Sequence, residues 1–262
     1  MATTTESPAA HAGLERSVRV AAAGDVHCSE ANRDQIHAAF AAAAGDVDLI
    51  LLAGDLTTHG EPEQAAVLAD ACRDLPSPVV AVLGKHDWHL DRAIEVAGVL
   101  RDAGVVVLDR DHAVQEVGGL EVGIVGVKGF VGGFPGSHLP DFGEPSLRSV
   151  YAEASAEVEA LDAGLRAVAP CALRVVLMHY APVTATLAGE PPEIWAFLGT
   201  DRLAAPVSEH GPDVVLHGHA HAGTFRGEVH GVPVFNVSVP VIGQDFWRFE
   251  LTEARRPPEA LR

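Results

Sequence analysis

Basic residues are scarce in this chain: 18 Lys and Arg stand against 36 Asp and Glu, a formal charge of −18. That balance argues against long nucleic acids and anionic membranes as main partners. It leaves open a small phosphorylated substrate, because bound divalent cations reverse the sign of a site locally. Cysteine is nearly as sparse. Cys28, Cys72 and Cys171 are odd in number, widely spaced and without a C-x-x-C pair, which favours a reducing cytoplasm over a disulfide framework. No run of about 18 uncharged apolar residues occurs, so a membrane span is not expected. The first residues carry no basic segment followed by an apolar one and do not read as a signal peptide.

What is present is a large apolar fraction, 48% of 262 residues, enough for one sizeable α/β core. Residues 1–16 and 253–262 read as disordered tails, and 17–252 as a single domain. Apolar runs at 18–23, 47–53 and 78–83 read as strands, each followed by an alanine-rich or amphipathic helical stretch (30–44, 61–74 and 91–102, the last with Asp91 as N-cap). Such alternation predicts a largely parallel sheet. After 105 the spacing tightens, and 105–108, 113–117 and 120–127 predict hairpins or a second sheet. Residues 129–145 form a glycine- and phenylalanine-rich inserted loop, long enough to suggest function. A helix (147–168), a strand (172–178), a helix around Pro206 (198–210) and four further strands (213–216, 224–229, 232–237, 244–251) complete the pattern.

Five segments carry the chemistry: Asp25-Val26-His27, Gly54-Asp55, Gly84-Lys85-His86-Asp87, His179, and Gly218-His219-Ala220-His221. Each stands at the C-terminal end of an expected strand, where α/β sheets collect their ligand sites. Asp25 and His27 are two apart, as are His219 and His221, and in an extended backbone that spacing puts both side chains on one side. Each pair is thus placed to grip one ion, with Asp55 as a bridge between two ligand sets or the remnant of one. A lone histidine at a strand end is more often structural than a ligand, and a lone Gly-Asp is ordinary turn chemistry. The weight lies in five such segments, in order, all at strand ends.

Mixed carboxylate and imidazole donors suit manganese, iron or zinc better than magnesium or calcium. A pair of such ions clamps a phosphoryl group and generates a hydroxide nucleophile at neutral pH. The leaving oxygen then needs a proton donor, for which His86, followed by Asp87, is the candidate. Within the loop, Phe130, Phe134, His138 and Phe142 are candidates either to stack on a substrate ring or to anchor the loop. Lys128 and Arg148, flanking it, read as phosphate contacts or as solvated surface.

Taken together, these segments resemble the signature of calcineurin-like metallophosphoesterases, D-x-H, G-D, G-N-H-[DE], H and G-H-x-H, over roughly 18–251. The resemblance implies a four-layer αββα sandwich of two mixed β-sheets flanked by helices. It implies one metal held by Asp25, His27, Asp55 and His221, a second held by Asp55, His179, His219 and position 85, and His86 as catalytic histidine assisted by Asp87. The activity implied is hydrolysis of a small phosphomonoester or phosphodiester by a metal-bound hydroxide, with one or two ions of manganese, iron or zinc. Loop 129–145 lies outside the general signature and is a candidate lid. One position departs from the pattern. The metal-binding asparagine is Lys85 here, and a protonated lysine has donors only. Either the second metal is held by Asp55, His179 and His219 with Lys85 turned away, or the ammonium binds phosphate in place of an ion, or a neutral Lys85 coordinates metal. The rival is a non-catalytic or weakly active interaction module on the same fold. Metal-dependent amide hydrolysis is the less favoured enzyme alternative.

Overall fold

Apart from Arg19, the segment from Val18 to Ala23 carries only apolar side chains, and both of its faces have to be covered. The computed structural model, which describes residues 16–253, places it inside a five-stranded sheet. The first half of the chain alternates β1 (Ser17–Ala23), α1 (Arg33–Ala44), β2 (Leu49–Ala53), α2 (Pro62–Cys72), β3 (Val79–Val82), α3 (Ala93–Asp102) and β4 (Val106–Leu108). The second half runs β5 (Asp111–Val117), β6 (Leu120–Gly126), α4 (Pro145–Ala167), β7 (Leu173–Leu177), α5 (Trp195–Leu198), α6 (Ala204–His210), β8 (Val214–His217), β9 (Arg226–Val229), β10 (Val232–Asn236), α7 (Val239–Ile242) and β11 (Trp247–Thr252).

Strands β1 to β4 are parallel neighbours, and β11 returns antiparallel along β1. The second sheet has the order β5-β6-β7-β8-β10-β9, parallel from β6 to β10 and antiparallel at both edges. The expected two mixed sheets are therefore present. β4 closes the first sheet, while the β5–β6 hairpin opens the second.

Side-chain alternation along the strands sorts the core into layers. Val18, Val20, Leu49, Leu51, Val80 and Val82 meet Val122, Ile124, Val175, Leu177 and Leu216 between the sheets. On the outer face of the first sheet, Ile50, Leu52 and Ala81 pack on Phe40, Leu68 and Leu100 of its helices. Leu161 and Leu165 of α4 cover Val125 and Val176 on the outer face of the second. The result is the helix–sheet–sheet–helix sandwich, with all the parallel strands pointing their C-terminal ends at one rim.

Some boundaries moved. α3 starts at Ala93 rather than 91, because Asp91 takes a left-handed turn (φ 58°) with its N–H on the Trp88 carbonyl. The expected helix over 198–210 is broken, since the Thr200 hydroxyl accepts from Arg202 N and caps a short turn at Asp201–Leu203 before α6 begins. Of the two expected tails, only Arg16 and Glu253 fall within the described residues, and the Arg16 guanidinium donates to the Glu253 carboxylate at 2.9 Å.

Candidate active site

The strand ends deliver the candidate ligands by leaving the extended conformation. Eight non-glycine residues among those described have positive φ, and four of them are Asp25 (58°), His27 (44°), Asp55 (49°) and His219 (71°). Each such residue costs roughly 1–2 kcal/mol, and strain of this kind collects where side-chain aim matters more than stability. Neither expected pair follows the extended-strand geometry, and His219 and His221 do not grip one ion together: His219 joins Asp55 and His179, while His221 joins Asp25 and His27. Asp25 and His27 converge because the chain turns left-handed at both residues, not because alternate side chains share a face. Two glycines make room at the same rim. A Cβ at Gly84 would lie 2.1 Å from Asp55 N, and one at Gly218 would lie 2.3 Å from Asp25 Oδ2.

Six candidate ligands gather in two sets. Asp25, His27 and His221 place donor atoms within 4.8 Å of one another, and so do Asp55, His179 and His219. Asp55 also closes a set with His27 and His86, which ties the two halves together. Backbone carbonyls fix the imidazoles. A carbonyl only accepts, so His179 Nδ1, 2.9 Å from Ala53 O, carries the hydrogen. The same holds for His27 Nδ1 on Thr57 O (3.3 Å) and His219 Nε2 on Phe197 O (3.2 Å). The opposite nitrogens, His179 Nε2, His27 Nε2 and His219 Nδ1, are the ones left free of backbone carbonyls, as in metal-ligating histidines.

His179 decides whether a metal fits. The residue is fully buried, and Nε2 lies 3.2 Å from Asp55 Oδ1 but out of hydrogen-bonding alignment, so this buried nitrogen has no hydrogen-bond partner. Buried polar atoms of this kind are rare and call for a ligand. Burial alone would lower His179, yet the Asp55 carboxylate outweighs it and lifts the imidazole to about 9, so without an ion Nε2 carries a proton facing Asp55, and a metal bound there would displace that proton. Burial raises Asp55, but His179 and the His86 N–H hold it well below the usual carboxylate range. His221 donates to Asp25 Oδ1 at 2.8 Å and is raised by that bond. Each carboxylate thus has a neighbouring imidazole offsetting its charge. His217, at the end of β8, is different: both of its ring nitrogens are engaged, by Gly218 O and the Thr186 hydroxyl.

Residues 18–223 match the sequence pattern of the calcineurin-like phosphoesterases. The chain belongs to that family. Among solved structures, the phosphopantetheinyl hydrolase of Mycobacterium tuberculosis is similar over 95% of this chain and 100% of its own, with TM-score 0.62 and 15% identity. A Thermus thermophilus protein aligns over 84% of this chain and 88% of its own, with TM-score 0.51 and 18% identity. A putative 5'-nucleotidase of Staphylococcus aureus aligns over 84% of this chain and 48% of its own, with TM-score 0.54 and 16% identity. At such identities the likeness is one of fold. No curated protein matches the chain.

Against the calcineurin-like pattern, the Gly84–Asp87 turn is where this chain is distinctive. His86 N donates to Asp55 Oδ1 at 2.7 Å and His86 Nδ1 to Thr58 O at 2.7 Å, leaving Nε2 directed to the cleft, 3.9 Å from Asp55 Oδ2. Asp87 does not touch the His86 ring. Its buried carboxylate accepts from Leu56 N, Thr57 N, the Thr57 hydroxyl and Gly84 N, so it locks the turn that carries His86 to the loop after Asp55. Lys85 is exposed, its ammonium makes no hydrogen bond or ion pair among the described residues, and it lines the cleft beside Asp55, His86, Glu190, His219 and His221.

Residues unmarked in the sequence reading complete the surroundings. His59 and His89 stand with His86 at the rim, and Tyr180, Ile194 and Phe197 line an adjoining hollow. Only Tyr180, directly after His179, had a positional signal. Of the loop aromatics, Phe134 is buried among Ala181, Leu187, Leu198 and Ala220 and anchors 129–145, while Phe142 is 70% exposed. Lys128 is half-buried and not among the residues lining the cleft: its ammonium sits 4.2 Å from the Phe130 ring centre, and burial lowers its pKa.

Proposed function

We propose that the chain is a metal-dependent phosphohydrolase acting on a small phosphate ester. The observation that carries this reading is the pair of three-residue donor sets joined at Asp55, with His179 Nε2 of the second set buried, 3.2 Å from Asp55 Oδ1 and without an aligned hydrogen bond. Asp25, His27, Asp55 and His221 would hold one metal ion and Asp55, His179 and His219 another; such ions would neutralise charge on the phosphoryl oxygens and acidify water. The mixed oxygen and imidazole donors favour manganese, iron or zinc.

The protein's own groups do the rest. Lys85 Nζ, at the cleft wall, donates to a phosphoryl oxygen. His86, with Nδ1–H spent on Thr58 O, presents Nε2–H to the leaving oxygen and transfers that proton as the P–O bond breaks. Asp87 acts as a positioning residue, holding the His86 turn rigid through four hydrogen bonds. With Lys85 unable to ligate while protonated, Asp55, His179 and His219 are the three protein groups that would hold the second ion.

The test measures metal per chain on protein purified without chelators, together with hydrolysis of an aryl phosphate and its diester in added manganese. About two ions per chain with turnover supports the reading, and one ion with turnover assigns the second charge to Lys85. No metal and no turnover points to the interaction module that Lys85 also motivates.

A further inference from the structure

We infer that the substrate's alcohol portion is an uncharged alkyl or aryl group, bound in an apolar pocket that opens beside the metal ligands. The inference rests on the phosphohydrolase reading for what lies at the other end of the substrate. Two hollows adjoin at the rim. One, of about 310 Å³, holds Asp55, His86 and His221. The other, of about 360 Å³, is walled by Val131, Tyr180, Ile194, Phe197 and Leu198. They share Lys85, Ile194, Leu198 and His219, so a molecule with its phosphate among the metal ligands continues past Lys85 into the second. Each volume falls at the small end for ligand pockets.

The chemistry of the second hollow is one-sided. Beyond the shared Lys85 and His219, none of its lining residues is charged. Its single further polar side chain is that of Tyr180, only 3% exposed, whose hydroxyl has no hydrogen-bond partner among the described residues. A sugar would bring several hydroxyls to a wall that answers one of them, and each unmatched group would bear a desolvation cost. An alkyl chain or aromatic ring has no such cost.

The wall is also tied to the metal ligands. Phe197 and Ile194 are 59% and 40% exposed, large apolar side chains left open on the short segment that ends in α5. The Phe197 carbonyl accepts from His219 Nε2, and the Tyr180 ring lies 4.5 Å from the His219 ring. That segment is fastened in turn to the inserted loop by Gly132 N on Ala196 O and Gly133 N on Gly199 O. One element thus orients a candidate ligand through its backbone and offers an apolar face to the substrate through its side chains.

The experiment is equilibrium binding of n-alkylphosphonates, methyl to hexyl, to the manganese-loaded protein, with kcat/KM for the matching alkyl phosphates and for glycerol phosphate. Each added methylene is expected to tighten binding about three- to fourfold until the pocket is filled. Glycerol phosphate is expected to fall below propyl phosphate in kcat/KM. Phe197→Ala and Ile194→Ala should flatten the chain-length slope, while Phe142→Ala, on the exposed part of the inserted loop, should leave it as it is. A flat phosphonate series, or a slope unmoved by Phe197→Ala, overturns the apolar pocket. A steep phosphonate series without hydrolysis of any ester keeps the pocket and sinks the hydrolase reading, so the two failures are distinguishable.

Discussion

His86 and Lys85 are adjacent, yet they carry separate tasks, and single substitutions should separate them. His86→Ala removes the proton donor and leaves both donor sets intact. Turnover should fall by about 10²–10⁴ while metal content, measured by emission spectrometry, stays constant. Full turnover in that variant would take the acid role away from His86. Lys85→Ala removes one charge-assisted contact to phosphate, worth about 1.5–3 kcal/mol. A drop in kcat/KM of one to two orders of magnitude should result, again with metal retained. Loss of metal in Lys85→Ala would instead place the lysine among the groups that hold the second ion.

At the scale of elements, the site depends on strand-end turns that meet at van der Waals contact. Gly84 is the tightest point, since a methyl group there would be driven to 2.1 Å from the Asp55 backbone nitrogen. Gly84→Ala should therefore destabilise the fold by about 1–3 kcal/mol and displace Asp55 as well. Denaturant unfolding reads the first effect and metal content the second. Stability lost with metal affinity unchanged would show that the turn relaxes without moving the bridging carboxylate. The Asp87 carboxylate, with four donors converging on it, holds the same turn from beneath.

For the whole molecule, metal binding and folding are linked. An ion that binds only the native state adds RT ln(1 + [L]/Kd), about 2.7 kcal/mol at one hundred times Kd. Chelation should lower the melting temperature, and added manganese should restore it. Asp55→Asn, which weakens the residue shared by both sets, should show little of either change. A melting temperature indifferent to chelator in the native sequence would mean that the donor sets hold no ion. None of the helices among the described residues is long and apolar enough to cross a membrane.

Much of this was readable from residue order alone. The strand–helix alternation anticipated the parallel strands of the first sheet and the tighter spacing after 105 a hairpin or second sheet, because periodicity and apolar runs report local burial directly. That both sheets are mixed was implied by the family resemblance. The five acid and histidine segments identified the ligand candidates, because each stands beside a strand whose end is legible. What the sequence could not specify is set by contacts between residues far apart in the chain. Left-handed turns at Asp25, His27, Asp55 and His219 aim the side chains, and nothing in a D-x-H spacing announces a positive φ. Asp87 looks from its position like a partner for the His86 ring, but its bonds run to Leu56, Thr57 and Gly84. The apolar hollow is assembled from Val131, Tyr180 and the 194–198 segment, brought together only by the packing of the inserted loop. Local order encodes which residues belong to strands and which can ligate. Their aim, their free nitrogens and the shape beside them exist only once the strand ends are folded against one another.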